Sequence, residues 1–97
     1  MGKLDDKTAL VTGGGQGIGR GIALALAAEG ARVAVLGRTA EKVEKTAAEV
    51  EERGVASLAI AADMKSDDDI KRAVLSVVDS FGALDIVIKN SQEYGLG

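Results

Sequence analysis

The 97-residue chain contains no cysteine and no histidine, and its only aromatic residues are Phe81 and Tyr94. Without cysteine it has neither a disulfide framework nor a cysteine metal site. Without histidine it lacks the commonest general base and the commonest zinc ligand. Since 46% of the residues are hydrophobic, an aliphatic core is still available. We expect one domain over residues 1–97, with no bound metal.

The charge of the chain is weakly acidic, with a formal net charge of −3 and a pI of about 4.9. No basic patch is interleaved with aromatic residues, which argues against a nucleic-acid partner. No apolar run approaches the roughly 20 residues that a membrane span requires, and residues 1–6 lack the apolar core of a signal peptide. We therefore predict a cytoplasmic chain without a membrane partner.

Strand and helix patterns alternate along the whole chain. Short apolar runs predict strands over 7–12, 32–36, 57–62 and 84–88. Between them, residues 16–29 carry Ile18, Ile22, Ala25, Leu26 and Glu29 at helical spacing, and two further helices end at Gly54 and Gly82. A β-α-β-α-β-α-β order predicts an α/β fold with a parallel sheet and right-handed crossovers.

A glycine loop joins the first predicted strand to the first helix, over Thr12-Gly-Gly-Gly-Gln-Gly-Ile-Gly19. Gly13 permits a sharp turn, Gly17 leaves no Cβ where the backbone meets a pyrophosphate, and Gly19 lets the helix lie close to the strand. The unpaired N–H groups and the helix dipole then form an anion site. The alternative is a ligand-free turn, but five glycines in seven residues cost conformational entropy without a reason.

Three polar residues follow the other predicted strands. In a dinucleotide-binding fold Arg38 meets the adenosine ribose and favours a 2′-phosphate, hence NADP(H) over NAD(H); the alternative is a solvated arginine beside a helix that Thr39 caps. Asp63 either accepts a hydrogen bond from an adenine amino group or is a polar loop residue. Asn90 either contacts a ribose or holds the glycine loop.

The acidic run Asp67–Asp69 has two interpretations, a metal cluster or a helix start. Ser66 stands where an N-cap stands, and three carboxylates would face the positive end of the helix dipole. The pattern therefore favours helix capping.

These features together resemble the short-chain dehydrogenase/reductase family, in its N-terminal half only. The matching segments are T-G-G-G-Q-G-I-G at 12–19, V-L-G-R at 35–38, A-A-D at 61–63 and F-G-A-L-D-I-V-I-K-N at 81–90. The Gly-Arg pair is most similar to NADPH-preferring members of the β-ketoacyl carrier-protein reductase type. The resemblance implies a three-layer Rossmann-like half-fold with strand order 3-2-1-4.

The resemblance also implies which residues contact the cofactor. Gly13, Gly17, Ile18 and Gly19 would lie along the pyrophosphate, Arg38 near the 2′-phosphate, Asp63 and Met64 near the adenine, and Asn90 near the adenosine-side ribose. The remaining residues predicted to bind cofactor are Gly15, Gln16 and Thr39.

Two departures from the family pattern bear on function. Gln92 stands where the family has a glycine after its fourth strand, and the catalytic serine and Tyr-x-x-x-Lys pair of the family have no counterpart in these 97 residues. We therefore predict an NADP(H)-binding half-domain without its own catalytic residues. The alternatives are an enzyme half that another chain completes for NADPH-dependent carbonyl reduction, and a truncated or engineered scaffold that no longer binds nucleotide.

A half-fold with this strand order has an open edge at its fourth strand and a partly bare second face. Both features invite partners. We predict a homodimer or a larger assembly through that edge or that face.

Overall fold

A computed structural model describes residues 2–90 and shows four parallel strands with helices on both faces of the sheet. The elements are β1 (Thr8–Thr12), α1 (Gly17–Ala28), β2 (Arg32–Gly37), α2 (Ala40–Glu51), β3 (Ser57–Ala61), α3 (Asp67–Phe81) and β4 (Ile86–Lys89). The strand order is β3-β2-β1-β4, and every neighbouring pair is parallel. The predicted fold class and strand order are confirmed. Gln92 and Tyr94 lie outside the described residues.

β4 begins two residues later than predicted, at Ile86. Directly before it, the Asp85 carboxylate accepts a hydrogen bond from the Thr8 N–H at 2.9 Å, and the Asp85 N–H donates to the Thr8 carbonyl at 2.9 Å. The Asp85 carboxylate thus replaces a backbone carbonyl as hydrogen-bond acceptor where the pairing of β1 with β4 begins. The apolar pattern of the sequence does not reveal this substitution of acceptors.

One face of the sheet carries α1 and α2 over a core of valine and alanine. Val11, Val33 and Val35 of the sheet pack against the helix residues Ala23, Ala27, Val43, Ala47 and Val50. Of the apolar residues at helical spacing in α1, Ile18 is 65% exposed and Ala25 is exposed. The smallest residues, Gly19, Ala23 and Ala27, face the sheet instead, since only small side chains let the helix lie close to β1.

The opposite face carries α3 alone. Leu10, Ala34 and Leu36 are buried there beneath Ala73 and Val77. Val87 of β4 is the register partner of Leu10 and therefore points to the same face. It nevertheless remains 52% exposed, and α3 also leaves Leu75 and Val78 exposed. α3 thus covers β1 and β2 but leaves β4 partly bare.

The start of α3 is capped as predicted. The Ser66 hydroxyl accepts a hydrogen bond from the Asp69 N–H at 3.2 Å, and Asp67, Asp68 and Asp69 occupy the first turn. The Asp69 carboxylate accepts from the Asp63 N–H and pairs with Arg72. Over the described part of the chain no cluster of acidic side chains could hold a metal ion. Helix capping therefore accounts for this acidic run.

A charged pair ties α1 to α2. The Arg20 guanidinium donates two hydrogen bonds of 2.7 Å to the two carboxylate oxygens of Glu49. These hydrogen bonds hold the pKa of Glu49 below its usual value and raise that of Arg20. The pair lies at the surface, so it adds little stability. Its bidentate geometry joins the first turn of α1 to α2.

Among residues 2–90 no helix is both long enough and apolar enough to cross a membrane.

Candidate functional site

The carboxyl ends of the strands meet at one edge of the sheet, and the glycine loop turns there from β1 into α1. Gly13 has a φ of +70° and Gly17 a φ of +61°, both in the left-handed region that glycine favours. The N–H groups of Gly13 and Gly14 donate to the Leu36 carbonyl at 2.7 and 3.2 Å. The loop is thus anchored to the end of β2, and its later residues lead into α1.

Gly19 makes the closest approach in this loop. A Cβ built on Gly19 would lie 1.9 Å from the Gly13 carbonyl oxygen and 2.8 Å from the Asn90 Nδ2. A Cβ on Gly13 would lie 2.3 Å from the Asn90 carbonyl oxygen. Gly13 therefore packs backbone to backbone against Gly19 and Asn90, and the Asn90 side-chain amide lies against Gly19, with no room for a methyl group at either glycine.

Asn90 lies behind the loop. Its N–H donates to the Thr12 hydroxyl at 3.0 Å, and that hydroxyl donates to the Ile88 carbonyl at 3.3 Å. Its Nδ2 is buried and has no hydrogen-bond partner among residues 2–90. Of the two roles the sequence left open for Asn90, the geometry shows contact with the loop.

The start of α1 carries a positive end that no side chain neutralises. The N-cap residue Gln16 makes no side-chain capping bond, and the first turn holds no acidic residue. By contrast, α3 has the Ser66 cap and three aspartates, and α2 has Glu41. The N–H groups of the first turn of α1 have no partner within the helix, which leaves an electropositive end suited to an anion.

A depression of about 110 Å³ lies between the glycine loop and the start of α2. It brings together five residues predicted to bind cofactor, Gly13, Gly15, Gln16, Thr39 and Met64. Three lining residues were not predicted, Gly37, Lys42 and Val43. Thr39 stands at the N-cap of α2, but its side chain makes no capping hydrogen bond, so its expected capping role was wrong in that respect.

Arg38 and Asp63 line a separate shallow depression of about 310 Å³ with Ala61 and Ala62. Both side chains belong to exposed residues. The Asp63 carboxylate accepts from the Lys65 N–H at 2.9 Å. The structure therefore places Arg38 beside Asp63, at the adjacent ends of β2 and β3, rather than in the depression that the glycine loop lines.

Lys42 is the charged lining residue that the sequence analysis missed. Its ammonium donates to the Gln16 side-chain carbonyl at 2.6 Å, which brings α2 and the loop together. The signal available in the sequence is weak, because a lysine in the first turn of a helix is ordinarily a solvated surface residue.

Comparison with known proteins points to short-chain dehydrogenases by sequence and by structure. A family model described as short chain dehydrogenase matches residues 7–92. The 3-oxoacyl-(acyl-carrier-protein) reductase FabG of Staphylococcus aureus is 45% identical over 86 residues, which is 88% of this chain and 35% of that protein. The chain spans about a third of the length of the curated relatives it matches.

Solved structures agree. A hydroxysteroid dehydrogenase from Escherichia coli matches with a TM-score of 0.90 at 30% identity, over 95% of this chain and 39% of that one. A xylitol dehydrogenase bound to NAD⁺ matches with a TM-score of 0.84 at 40% identity, over 88% of this chain and 33% of that one.

Proposed function

Because the chain belongs to the short-chain dehydrogenase family, we propose that it binds NADP(H) at the carboxyl edge of its sheet and that it lacks its own catalytic residues. Members of this family bind a nicotinamide dinucleotide. The preference for the 2′-phosphorylated form is our proposal. The observation that carries it is a cation, Arg38, directly after β2, at the same edge of the sheet as a glycine loop whose helix has no acidic residue in its first turn.

The pyrophosphate would lie on the loop. Gly17, Ile18 and Gly19 form the first turn of α1, whose N–H groups point toward the end of the helix. The missing side chains of Gly13 and Gly19 let the loop fold tightly against Asn90, which holds those donors in place. Such fixed donors suit a diphosphate, because they need no rearrangement when it binds.

The adenosine end would lie across the ends of β2 and β3. Asp63 and Met64 follow β3 and line the two depressions there. An aspartate in place of Arg38 would favour a ribose 2′-hydroxyl, whereas the guanidinium favours a phosphate. The cofactor supplies hydride chemistry when bound; these residues would bind and orient it and would move no proton.

Calorimetric titration of the 97-residue chain with NADPH, and with NADH in parallel, tests this proposal. We expect saturable binding that favours NADPH. We also expect 2′-phospho-ADP-ribose to bind almost as tightly as NADPH, because the residues that we propose to bind cofactor would contact only its adenosine diphosphate end. If neither cofactor binds at millimolar concentration, the chain is better described as a scaffold whose glycine loop has a structural role and binds no nucleotide. Much tighter binding of NADPH than of the analogue would contradict a site that is limited to the adenosine diphosphate end.

We further propose that the chain associates with itself. Within the described residues β4 pairs only with β1, and Val87, Leu75 and Val78 expose apolar surface on one face. Sedimentation at high concentration should give at least twice the monomer mass of 9.9 kDa. Val87 lies both on the edge strand and on the partly bare face, so Val87→Lys should dissociate a dimer formed through either. A monomeric wild type would refute the proposal.

A further inference from the structure

Lys42 is held against the glycine loop by packing as well as by its ammonium group. A Cβ on Gly15 would lie 3.0 Å from the Lys42 Cβ, so the lysine stem occupies the space that the glycine leaves. One residue on, the Val43 Cγ1 lies 2.9 Å from where a Gly37 Cβ would stand. The first turn of α2 thus rests on two glycines from different elements, and the position of Lys42 is fixed by that contact.

The charge of Lys42 is not compensated where it lies. Its ammonium donates to the Gln16 amide oxygen, a neutral acceptor, at 2.6 Å. No carboxylate within residues 2–90 forms an ion pair with it. Gln16 in turn makes no capping bond to α1. The amide therefore holds the ammonium over the depression without neutralising it, and the site retains a positive charge that an anion can use.

Arg38 and Lys42 lie on two sides of the same strand end. Arg38 lines the depression toward β3, and Lys42 lines the depression toward the glycine loop. Gly37, at the end of β2, and Thr39, at the start of α2, line the loop-side depression and are the chain neighbours of Arg38. A phosphate ester carries between one and two negative charges at neutral pH. A phosphate at this strand end would therefore meet one cation from each side.

We propose that Lys42, positioned by Gln16, is a second determinant of the preference for a 2′-phosphate. The inference rests on the proposed function, because it needs a dinucleotide at this edge. Arg38 approaches the phosphate from the β3 side, and Lys42 approaches it from the loop side. The lysine adds less affinity for a cofactor with a free 2′-hydroxyl, because a hydroxyl offers no charge for the ammonium to attract and the pyrophosphate is common to both cofactors.

The test compares Lys42→Met with the wild type by calorimetric titration of NADPH and NADH. Methionine retains an apolar stem to pack on Gly15 and removes the charge. We expect the affinity for NADPH to fall about tenfold, the loss typical of one charge-assisted contact, and the affinity for NADH to stay within about twofold. Lys42→Arg keeps a cation and should retain most of the preference for NADPH.

Lys45→Met is the matched control, because Lys45 is an exposed lysine on the same helix and does not line the depression. It should leave both affinities unchanged. Suppose that the wild type prefers NADPH, but that Lys42→Met lowers the affinities for NADPH and NADH equally or changes neither affinity. The inference is then wrong and the proposed function stands. If the wild type binds neither cofactor, the inference and the proposed function are both wrong.

Discussion

Gly19→Ala should destabilise the chain by about 3 kcal/mol and abolish dinucleotide binding. The added methyl group would lie 1.9 Å from the Gly13 carbonyl oxygen, 2.7 Å from the Gly13 carbonyl carbon and 2.8 Å from the Asn90 Nδ2. Two of these three atoms belong to the backbone, so no side-chain rotation relieves the contact. α1 would have to move away from β1, or the loop would have to unfold.

The stability loss follows from the packing that such a movement would break. Ala23 and Ala27 continue the face of α1 that Gly19 begins, and both are almost fully buried. Lifting the first turn separates this face from the valines of the sheet and opens a gap that the surrounding side chains only partly fill. A single domain of this size has roughly 5–15 kcal/mol of stability in total, so the loss is a large share of it.

Gly21→Ala is the matched control on the same helix. Nothing lies within 4 Å of a Cβ built on Gly21, and the residue is exposed. Alanine is favoured over glycine in a helix by about 1 kcal/mol. The same chemical change, two residues apart, should therefore stabilise the chain. Urea denaturation of the three proteins gives the comparison: equal midpoints for Gly19→Ala and Gly21→Ala would show that the close approach does not matter.

The alternation of strands and helices could be predicted because it depends on local patterns, whereas the strand order followed from the family resemblance. Apolar runs of four to six residues, separated by helical spacing and ended by Gly54 and Gly82, leave few topologies for a right-handed parallel sheet. The Ser66 cap is equally local, since the residue and its target N–H are three positions apart. The juxtaposition of Arg38 and Asp63 follows once β2 and β3 are neighbours.

Two details of the structure could not be predicted from the sequence, because they depend on contacts between residues far apart in the chain. Ile18 has the hydrophobicity of a core residue, yet it is 65% exposed, because the distance of α1 from the sheet is set by Gly19, Ala23 and Ala27. A hydrophobic pattern ranks these small residues last. The sequence could not show that Lys42 reaches the loop, because that contact depends on how α2 rests on Gly15.

Arg38→Asp should reverse the cofactor preference of the chain. The substitution removes the cation at the end of β2 and places a carboxylate there, so the 2′-phosphate of NADPH would meet a like charge at close range. We expect the affinity for NADPH to fall by about 100-fold. The affinity for NADH should rise or stay the same, because a carboxylate accepts hydrogen bonds from ribose hydroxyls.

The structure gives reason to expect that the fold tolerates this change. Arg38 is exposed, and within residues 2–90 it forms no ion pair that the substitution would break. Asp63 nearby is exposed as well, so the repulsion from the new carboxylate acts between solvated groups and is weak. A loss of NADPH binding would therefore report on recognition rather than on unfolding, which the denaturation midpoint can verify.

Arg53→Asp supplies the matched control, because it changes the net charge of the chain by the same amount at a distant place. Arg53 is exposed and follows the far end of α2, whose 12 residues span about 18 Å. At 0.15 M salt the Debye length is about 8 Å, so its charge should scarcely be felt at the end of β2. Parallel titrations of NADPH and NADH decide the matter. If Arg38→Asp and Arg53→Asp lower the affinity for NADPH equally, the effect is due to net charge, and Arg38 does not recognise the 2′-phosphate.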